Sequence, residues 1–292
     1  MSKLKAKDPT TAEPTKPKIV IYGASGVGKT WFALSFPSVY YIDTEGGADL
    51  AHYTDRLSKA GGKYLGPQDG ANDFEVIIEQ AKALATEKHK FKTLVVDSIT
   101  KPFISAIATE GERLGDRNAF GADKKPAIGA MRRLINAVHR LDMNVVFVAH
   151  EKTEWGILKN GERGEIGKGP DVYDKLIYEL HLCFQVIKQG PQRSAIVKKS
   201  RLVGFPEAEQ FELDYAKFAE RYGKDIITRE ATQVTLCSQE QFDEMQRLIA
   251  LLKVDAETVE KWLQKANADS LKELNKTQAQ KVIESLEAKL KK

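Results

Sequence analysis

The sequence predicts an α/β fold, with a mainly parallel sheet covered by helices on both faces and a small all-α module at the C-terminal end. Two observations support this prediction. Between residues 18 and 150, apolar runs rich in β-branched residues alternate with amphipathic segments, which is typical of parallel strands joined by helices. After about residue 235 the apolar spacing is helical throughout. A chain of 292 residues suffices for one domain of about 200–230 residues and a smaller unit.

The individual elements follow from this pattern in chain order. Four runs are predicted as parallel strands: KIVIY (18–22), VYYID (39–43), TLVVD (93–97) and NVVFVAH (144–150). Amphipathic spacing predicts helices over residues 74–88, 102–114 and 128–141. Residues 181–201 are predicted as two antiparallel strands joined around Gly190 and Pro191. Residues 115–127 and 151–170 are polar and are predicted as long loops, which in a compact domain usually bind something.

Composition predicts the domain organisation. We expect a flexible leader (1–17), a large core (18–223), a linker (224–238) and a helical module (239–292). Ser238 and Asp255 are suitable N-caps for helices of that module. The leader lacks the apolar centre of a signal peptide, and no apolar run approaches the ~20 residues of a membrane span. Together with two cysteines far apart in sequence, these features suggest a reducing cytoplasm and no membrane partner.

The net charge of +4 does not by itself indicate a nucleic-acid partner. The first 18 residues carry five lysines against two acids, and the ten acids after residue 238 are balanced by ten bases. The rest of the chain is therefore close to neutral, and any nucleic-acid site must come from local clusters.

The stretch GASGVGKT fits the phosphate-binding pattern G-x-x-x-x-G-K-[ST], and it lies between a predicted strand and a predicted helix. Its residues are Gly23, Ala24, Ser25, Gly26, Val27, Gly28, Lys29 and Thr30. Glycines let backbone N–H groups close around phosphate oxygens, and the start of a helix adds partial positive charge. Lys29 is expected to reach the β- and γ-phosphates of ATP, and Thr30 to bind Mg²⁺.

Two acids at predicted strand ends complete this expectation. Asp97 closes TLVVD and is expected in the magnesium shell, although an aspartate there can also be a helix cap. In many P-loop motors a glutamate follows that aspartate and polarises the attacking water. Here the next residue is Ser98, so the water-activating base must come from elsewhere. Glu45 follows VYYID and would lie at the same sheet edge, where a carboxylate can orient or deprotonate water. The alternative is that Glu45 is an exposed loop acid.

The wording KIVIYGASGVGKT…YYIDTEGG…FKTLVVDSIT resembles the RecA-type recombinase core, and in particular the phage RecA-like ATPases of the Sak type. The resemblance covers about residues 18–215. It implies a RecA-like P-loop core, with Glu45 as the catalytic carboxylate and Asp97 as the magnesium-shell acid. His150 ends NVVFVAH, at the position where RecA-type enzymes sense the γ-phosphate and RecA itself has glutamine.

The same resemblance suggests roles for basic residues. Lys199 and Arg201 end the last predicted strand and share one face of it. Related recombinases and helicases use such cations to reach the γ-phosphate of a neighbouring subunit, whereas the plain alternative is a solvated strand end.

Both predicted loops are candidate contacts with single-stranded DNA, because lysines and arginines can bind phosphates and an aromatic ring can stack on a base. In the 151–170 loop the candidates are Lys152, Trp155, Lys159, Arg163 and Lys168, and in the 115–127 loop they are Arg117, Lys124 and Lys125. The alternative for the first loop is a lid or a subunit contact.

Three functions remain open. The first is an ATP- and Mg²⁺-dependent phage recombination protein, which binds single-stranded DNA and promotes annealing in the cytoplasm of a bacterial host as a homo-oligomeric ring or filament. Its C-terminal helices could dock on a single-strand DNA-binding protein, although a small bundle core explains their apolar stripe more simply. The second is a RecA-fold helicase or helicase-loading motor. The third, a small-molecule phosphotransferase, is disfavoured because no arginine-rich lid motif is present.

Overall fold

The computed structural model describes residues 14–290. Ten strands occur in these residues: β1 (Lys18–Tyr22), β2 (Val39–Asp43), β3 (Lys63–Leu65), β4 (Thr93–Asp97), β5 (Asn144–Ala149), β6 (Glu151–Ile157), β7 (Arg163–Pro170), β8 (Leu182–Gln189), β9 (Gln192–Ser200) and β10 (Gln210–Glu212). The α-helices are α1 (Lys29–Ala33), α2 (Ala51–Lys59), α3 (Phe74–Thr86), α4 (Thr100–Leu114), α5 (Lys124–Arg140), α6 (Leu176–Glu179), α7 (Tyr215–Tyr222), α8 (Lys224–Thr228), α9 (Gln239–Leu251), α10 (Ala256–Ala266) and α11 (Lys276–Leu290).

Eight strands form one sheet in the order β10-β9-β8-β1-β5-β4-β2-β3. The six strands from β8 to β3 in this order are parallel to one another, and β9 and β10 are added as antiparallel strands. The four predicted parallel strands and the predicted antiparallel pair are confirmed. The short strands β3 and β10 were not predicted.

Helices cover both faces of this sheet, because its inner strands are apolar on both sides. β1 is buried along its whole length. Val20 and Tyr22 face a core that contains α3 and α5, whereas Ile19 and Ile21 face a second core with the aromatic side chains of α1 and α7. The predicted α/β fold class with a mainly parallel sheet is therefore confirmed.

The expectation of a long loop over residues 151–170 is wrong. Strands β6 and β7 pair there as an antiparallel hairpin that is separate from the main sheet. Alternating Thr153, Trp155 and Ile157 supply strand-forming side chains, and Gly161 turns the chain with φ +83°.

The predicted loop over residues 115–127 is shorter than expected. Lys124 and Lys125 already lie in the first turn of α5. The helix ends at Arg140, next to the amino-terminal edge of the sheet, where Lys18 Nζ donates to Leu141 O at 2.8 Å. Its 17 residues span about 25 Å, which exceeds the length of a six-residue strand. The start of α5 therefore lies at the carboxyl-terminal edge.

The C-terminal helices α9, α10 and α11 surround a small apolar cluster of their own, which confirms the predicted helical module. Ser238 and Asp255 cap α9 and α10 as expected. Glu273 joins this bundle to the sheet domain through Lys82 at 2.8 Å and Arg140 at 3.3 Å. The exact domain boundaries stay a prediction. Within the predicted linker, α8 buries Ile227 in the main core.

Residues 1–13 of the predicted leader lie outside the described part of the chain. At its end, Lys16 is buried and its ammonium donates to the carbonyls of Asp142, Arg229 and Glu230. Among the helices of residues 14–290, none is both long and apolar enough to cross a bilayer.

Candidate active site

The loop after β1 has the backbone of a phosphate cradle. Gly23, Gly26 and Gly28 have φ of +153°, +73° and +101°, which side chains rarely adopt. A Cβ on Gly23 would lie 2.3 Å from the carbonyl oxygen of Val186, so this position has no room for a side chain. Gly28 precedes the first turn of α1 and leaves the amide groups of that turn directed at the same space.

Lys29 and Thr30 begin α1 inside this loop. The Lys29 ammonium donates to the carbonyl oxygens of Gly23 at 2.7 Å and Ala24 at 2.8 Å, so it lies within the cradle. Burial lowers the pKa of Lys29. A cation in this position can bind anionic oxygens that enter the loop.

Asp97 reaches the cradle from the end of β4. Thr30 Oγ1 donates to Asp97 Oδ2 at 2.5 Å. Burial raises the pKa of Asp97 to about 7, and the nearby carboxylate of Glu45 acts in the same direction. A hydroxyl and a carboxylate held together beside a phosphate loop are suitable ligands for Mg²⁺, which is usually bound by one or two carboxylates together with substrate phosphates and water. Across residues 14–290 no cluster of three or more His, Cys, Asp or Glu side chains forms a metal site by itself.

Glu45 and His150 meet at the same edge. His150 Nε2 lies 2.5 Å from Glu45 Oε1, and their side chains are 50% and 42% exposed. Partial burial favours a higher pKa for Glu45, but contacts with Ser98 and His150 outweigh it and hold that pKa below its ordinary value. Glu45 is therefore a carboxylate at neutral pH and can accept a proton or orient a water molecule.

The strand ends fix the positions of both side chains. Buried Asp43 at the end of β2 accepts hydrogen bonds from the backbone N–H groups of Glu45 at 3.1 Å and Ala48 at 2.7 Å. This shapes the turn at Gly46, whose φ is +78°. The N–H of His150 donates to Thr100 Oγ1 at 2.9 Å.

The candidate catalytic and phosphate-binding groups line one cavity of about 660 Å³. Its lining includes Ser25, Gly26, Gly28, Lys29, Thr30, Glu45, Asp97 and His150, together with Tyr41 and Tyr53. The structure thus brings together eight of the residues singled out from the sequence, although they come from four segments of the chain.

Lys199 and Arg201 lie elsewhere. Ser200 pairs with Leu182, and Leu182 pairs with Ile19 near the start of β1. The ammonium of Lys199 donates to Leu180 O, and the guanidinium of Arg201 donates to Tyr178 O. Both residues are therefore at the amino-terminal edge of the sheet, opposite the phosphate loop of their own chain.

The basic residues of the hairpin fall into two groups. Lys152 pairs with Asp174 at 2.9 Å, and Lys168 contacts Thr153 at 2.7 Å and Glu165 at 3.3 Å. Lys159 and Arg163 are exposed and make no side-chain hydrogen bond or ion pair with any residue between 14 and 290. The side chain of Trp155 is 60% exposed.

The segment before α5 carries a further exposed ring. Phe120 is fully exposed, close in sequence to Arg117, Lys124 and Lys125, which are also exposed. None of these three cations has an ion-pair partner in the described chain. The sequence analysis did not name Phe120 as a candidate DNA contact, although an aromatic residue within a basic loop indicates one.

Arg193 was also missed. It follows the turn between β8 and β9, and its side chain lies against Gly28 of the phosphate loop. Nothing in the local sequence around Arg193 indicates this contact, because it depends on the parallel pairing of β8 with β1.

Similar solved structures include the RadB recombinase (19% identity, 66% of this chain and 84% of that chain, TM-score 0.40). A prototypical ATPase from the type III secretion system of pathogenic bacteria is 13% identical, with 94% of this chain and 81% of that chain covered and a TM-score of 0.38. The flagellar accessory protein FlaH from Methanocaldococcus jannaschii is 11% identical, with 68% and 84% covered and a TM-score of 0.34.

A comparison with curated protein sequences finds no match. The model of the AAA domain family matches residues 15–204, which is well over half of the chain and includes the phosphate loop, Glu45, Asp97 and His150. The chain therefore belongs to the AAA domain family of P-loop NTPases.

Proposed function

We propose that this protein is a Mg²⁺-dependent ATPase that binds single-stranded DNA and promotes annealing or strand pairing, as phage RecA-like proteins of the Sak type do. The observation that carries the proposal is the contact of Glu45 with His150. It joins a candidate catalytic carboxylate to the residue that directly precedes the β6–β7 hairpin.

In this proposal the phosphate loop binds ATP through its backbone N–H groups and the Lys29 ammonium. Thr30 and Asp97 hold Mg²⁺, which supplies positive charge to the β- and γ-phosphate oxygens. Glu45 orients the attacking water and accepts its proton. The low pKa of Glu45 keeps it in the basic form required for this role.

The hairpin is suited to respond to the nucleotide because both of its strands contact the ATPase core. His150 precedes β6 and contacts Glu45. The hydroxyl of Tyr22, which is next to the phosphate loop, donates to Lys168 O in β7 at 2.9 Å. Movement of His150 or Tyr22 on nucleotide binding would therefore be transmitted to the base of the hairpin.

One face of the hairpin has the chemistry of a single-strand binding surface. Ile157 pairs with Arg163, so Trp155, two residues earlier, shares a face with Arg163. On this face, the ring of Trp155 can stack on a base and the unpaired guanidinium of Arg163 can bind a phosphate, although Glu165 lies directly opposite Trp155. Lys159 lies in the turn between the strands.

A second candidate DNA surface is the segment with Arg117, Phe120, Lys124 and Lys125. The start of α5 and the end of β5 both lie at the carboxyl-terminal edge of the sheet, so this segment and the hairpin project from one side of the molecule. A single strand of DNA could contact both.

Assembly into a homo-oligomer follows from the same proposal, as a ring or a filament. Lys199 and Arg201 would complete the phosphate site of a neighbouring subunit. The C-terminal helices remain a candidate contact for a single-strand DNA-binding protein, and the bacterial cytoplasm is the proposed location.

The test measures ATP hydrolysis with and without single-stranded DNA and scores annealing of complementary strands in the same preparation. We expect DNA to stimulate hydrolysis and annealing to depend on the protein. Directional unwinding without annealing would instead support a helicase or helicase-loading motor. An equal rate of ATP hydrolysis with and without single-stranded DNA, together with no annealing, would refute the proposal.

A further inference from the structure

Arg193 lies against Gly28 of the phosphate loop of its own chain, and it lines a second cavity that shares Gly28 with the cavity of the candidate active site. β8 runs parallel to β1, so the turn at its end reaches the same sheet edge as the loop. The Cδ and Nε atoms of Arg193 lie 2.8 Å and 2.9 Å from the position that a Cβ on Gly28 would take. The side chain therefore occupies the space that the missing side chain of Gly28 leaves.

The backbone of Arg193 is held on both sides, whereas its charge has no partner. Arg193 pairs with Lys188 across the hairpin, and its carbonyl accepts from the N–H of Leu213 at 3.0 Å. The guanidinium makes no hydrogen bond or ion pair with any residue in the described range. Arg193 and Asp214 both line a cavity of about 290 Å³. The Oδ1 atom of Asp214, however, caps α7 by accepting from the backbone N–H of Lys217 at 2.9 Å.

Arg193 is exposed, so water solvates its charge when no anion is bound. The amide groups at the start of α1 carry partial positive charge and are directed into the phosphate loop. The guanidinium has no carboxylate partner among residues 14–290 and is free to bind an anion. A nucleotide phosphate bound in the loop would supply that anion, and the planar fork of arginine suits two phosphate oxygens.

We propose that Arg193 is a phosphate-binding residue in cis, which contacts the α- or β-phosphate of the nucleoside di- or triphosphate bound at Gly23–Thr30. The inference rests on the proposed nucleotide binding and adds a residue that the phosphate-loop motif does not contain. The expected contact is formed in the bound state as well as in the transition state, so it contributes to affinity.

The experiment measures binding of ADP and of inorganic tripolyphosphate, both with Mg²⁺, by isothermal titration calorimetry. The variants are Arg193→Ala and Arg193→Lys, with Lys188→Ala as the matched control. Lys188 is an exposed cation directly opposite Arg193, and the three atoms nearest to the Cβ position of Gly28 all belong to Arg193. Circular dichroism melting verifies that each variant is folded.

We expect Arg193→Ala to weaken both ligands by about ten- to a hundredfold, as for loss of a hydrogen bond to a charged group. The affinity of Arg193→Lys should lie between those of the parent and of Arg193→Ala, because lysine keeps the charge and loses the planar fork of the guanidinium. Lys188→Ala should stay within about twofold of the parent, since it contacts no phosphate.

Unchanged affinity of Arg193→Ala for both ligands would overturn the inference while leaving nucleotide binding intact. A loss for ADP without a loss for tripolyphosphate would overturn the phosphate contact and assign the guanidinium to the nucleoside. An equal loss in Lys188→Ala would reduce the effect to general charge and also overturn it. A parent protein that binds neither ligand would refute the proposed nucleotide site itself.

Discussion

Glu45 is the side chain on which the proposed chemistry depends. Glu45→Gln keeps the size of the side chain and removes its ability to accept a proton. We expect the variant to retain ATP binding and to lose hydrolysis by at least about a hundredfold, in line with the contribution of a positioned base. Binding of a fluorescent ATP analogue and steady-state phosphate release measure the two properties separately.

Asp55→Asn provides the control, because Asp55 is an exposed acid of α2 outside the cavity. It should change neither property. Hydrolysis at the parental rate in Glu45→Gln would exclude Glu45 as the base and leave it as an exposed loop acid.

His150 is expected to act through Glu45. Burial raises the pKa of Glu45, but the Ser98 and His150 contacts lower it below its ordinary value. Removing the histidine in His150→Ala should therefore raise that pKa. Because the base must be ionised, activity on the acidic side should then require a higher pH. The pH profile of kcat measures this shift.

His150→Gln restores a hydrogen-bond donor and should move the acidic limb back toward the parental profile. A profile of His150→Ala that falls in kcat without moving along the pH axis would show that His150 does not set the basicity of Glu45.

At the scale of elements, the role of the hairpin in DNA binding can be tested by comparing its unpaired side chains with a side chain that is held in an ion pair. Trp155→Ala should weaken single-stranded DNA binding by about five- to a hundredfold, which is the range for loss of one stacked base. Arg163→Ala should reduce the salt dependence of binding by about one phosphate contact. Fluorescence anisotropy with a labelled oligonucleotide at several salt concentrations measures both effects.

Lys152→Ala is the matched control on the same hairpin. Its ammonium is paired with Asp174, so removing it should change DNA affinity and salt dependence little. A loss in Lys152→Ala equal to that in Arg163→Ala, or no effect of Trp155→Ala, would place the DNA on another surface.

The elements that the sequence predicts well are those that are buried on both faces. β1 and β4 are apolar at almost every position and end on a glycine loop and an acid, so their type and their ends are readable. The β6–β7 hairpin was missed because none of its residues belongs to an apolar cluster of residues 14–290, so its sequence has no buried face to indicate a strand. Its charged residues and glycines interrupt the apolar–polar alternation that would predict a strand. The hairpin is defined instead by the backbone hydrogen bonds between its two strands.

The site divides in the same way. Thr30 was predicted from the phosphate-loop motif. Asp97 and Glu45 were predicted because they lie at or just after the ends of strands in the parallel sheet, and the carboxyl ends of such strands share one edge. Arg193 reaches that edge through the pairing of β8 with β1, which joins residues about 160 positions apart and leaves no local pattern.

At the scale of the whole molecule, the two ends of the sheet carry complementary groups. The phosphate loop follows the end of β1, whereas Arg201 N donates to His181 O, and His181 N donates to Lys18 O at the start of β1. These edges are separated by the length of a strand, about 16 Å for five residues. Lys199 and Arg201 can therefore serve a phosphate site only in a head-to-tail contact between copies, which closes into a ring or continues as a filament.

Mixing two inactive variants tests this arrangement. The double variant Lys199→Ala/Arg201→Ala lacks the cations but keeps Glu45, whereas Glu45→Gln lacks the base but keeps the cations. In a head-to-tail assembly, some interfaces of a mixed oligomer combine an intact Glu45 with intact cations from the neighbour. We therefore expect the mixture to hydrolyse ATP faster than the sum of the rates of the two separate variants. Lys198→Ala is the control, because Lys198 is an exposed neighbour on β9, and its rate should stay close to that of the parent. Activity of the mixture equal to that sum, at concentrations where light scattering shows oligomers, would exclude a role for Lys199 and Arg201 across the interface.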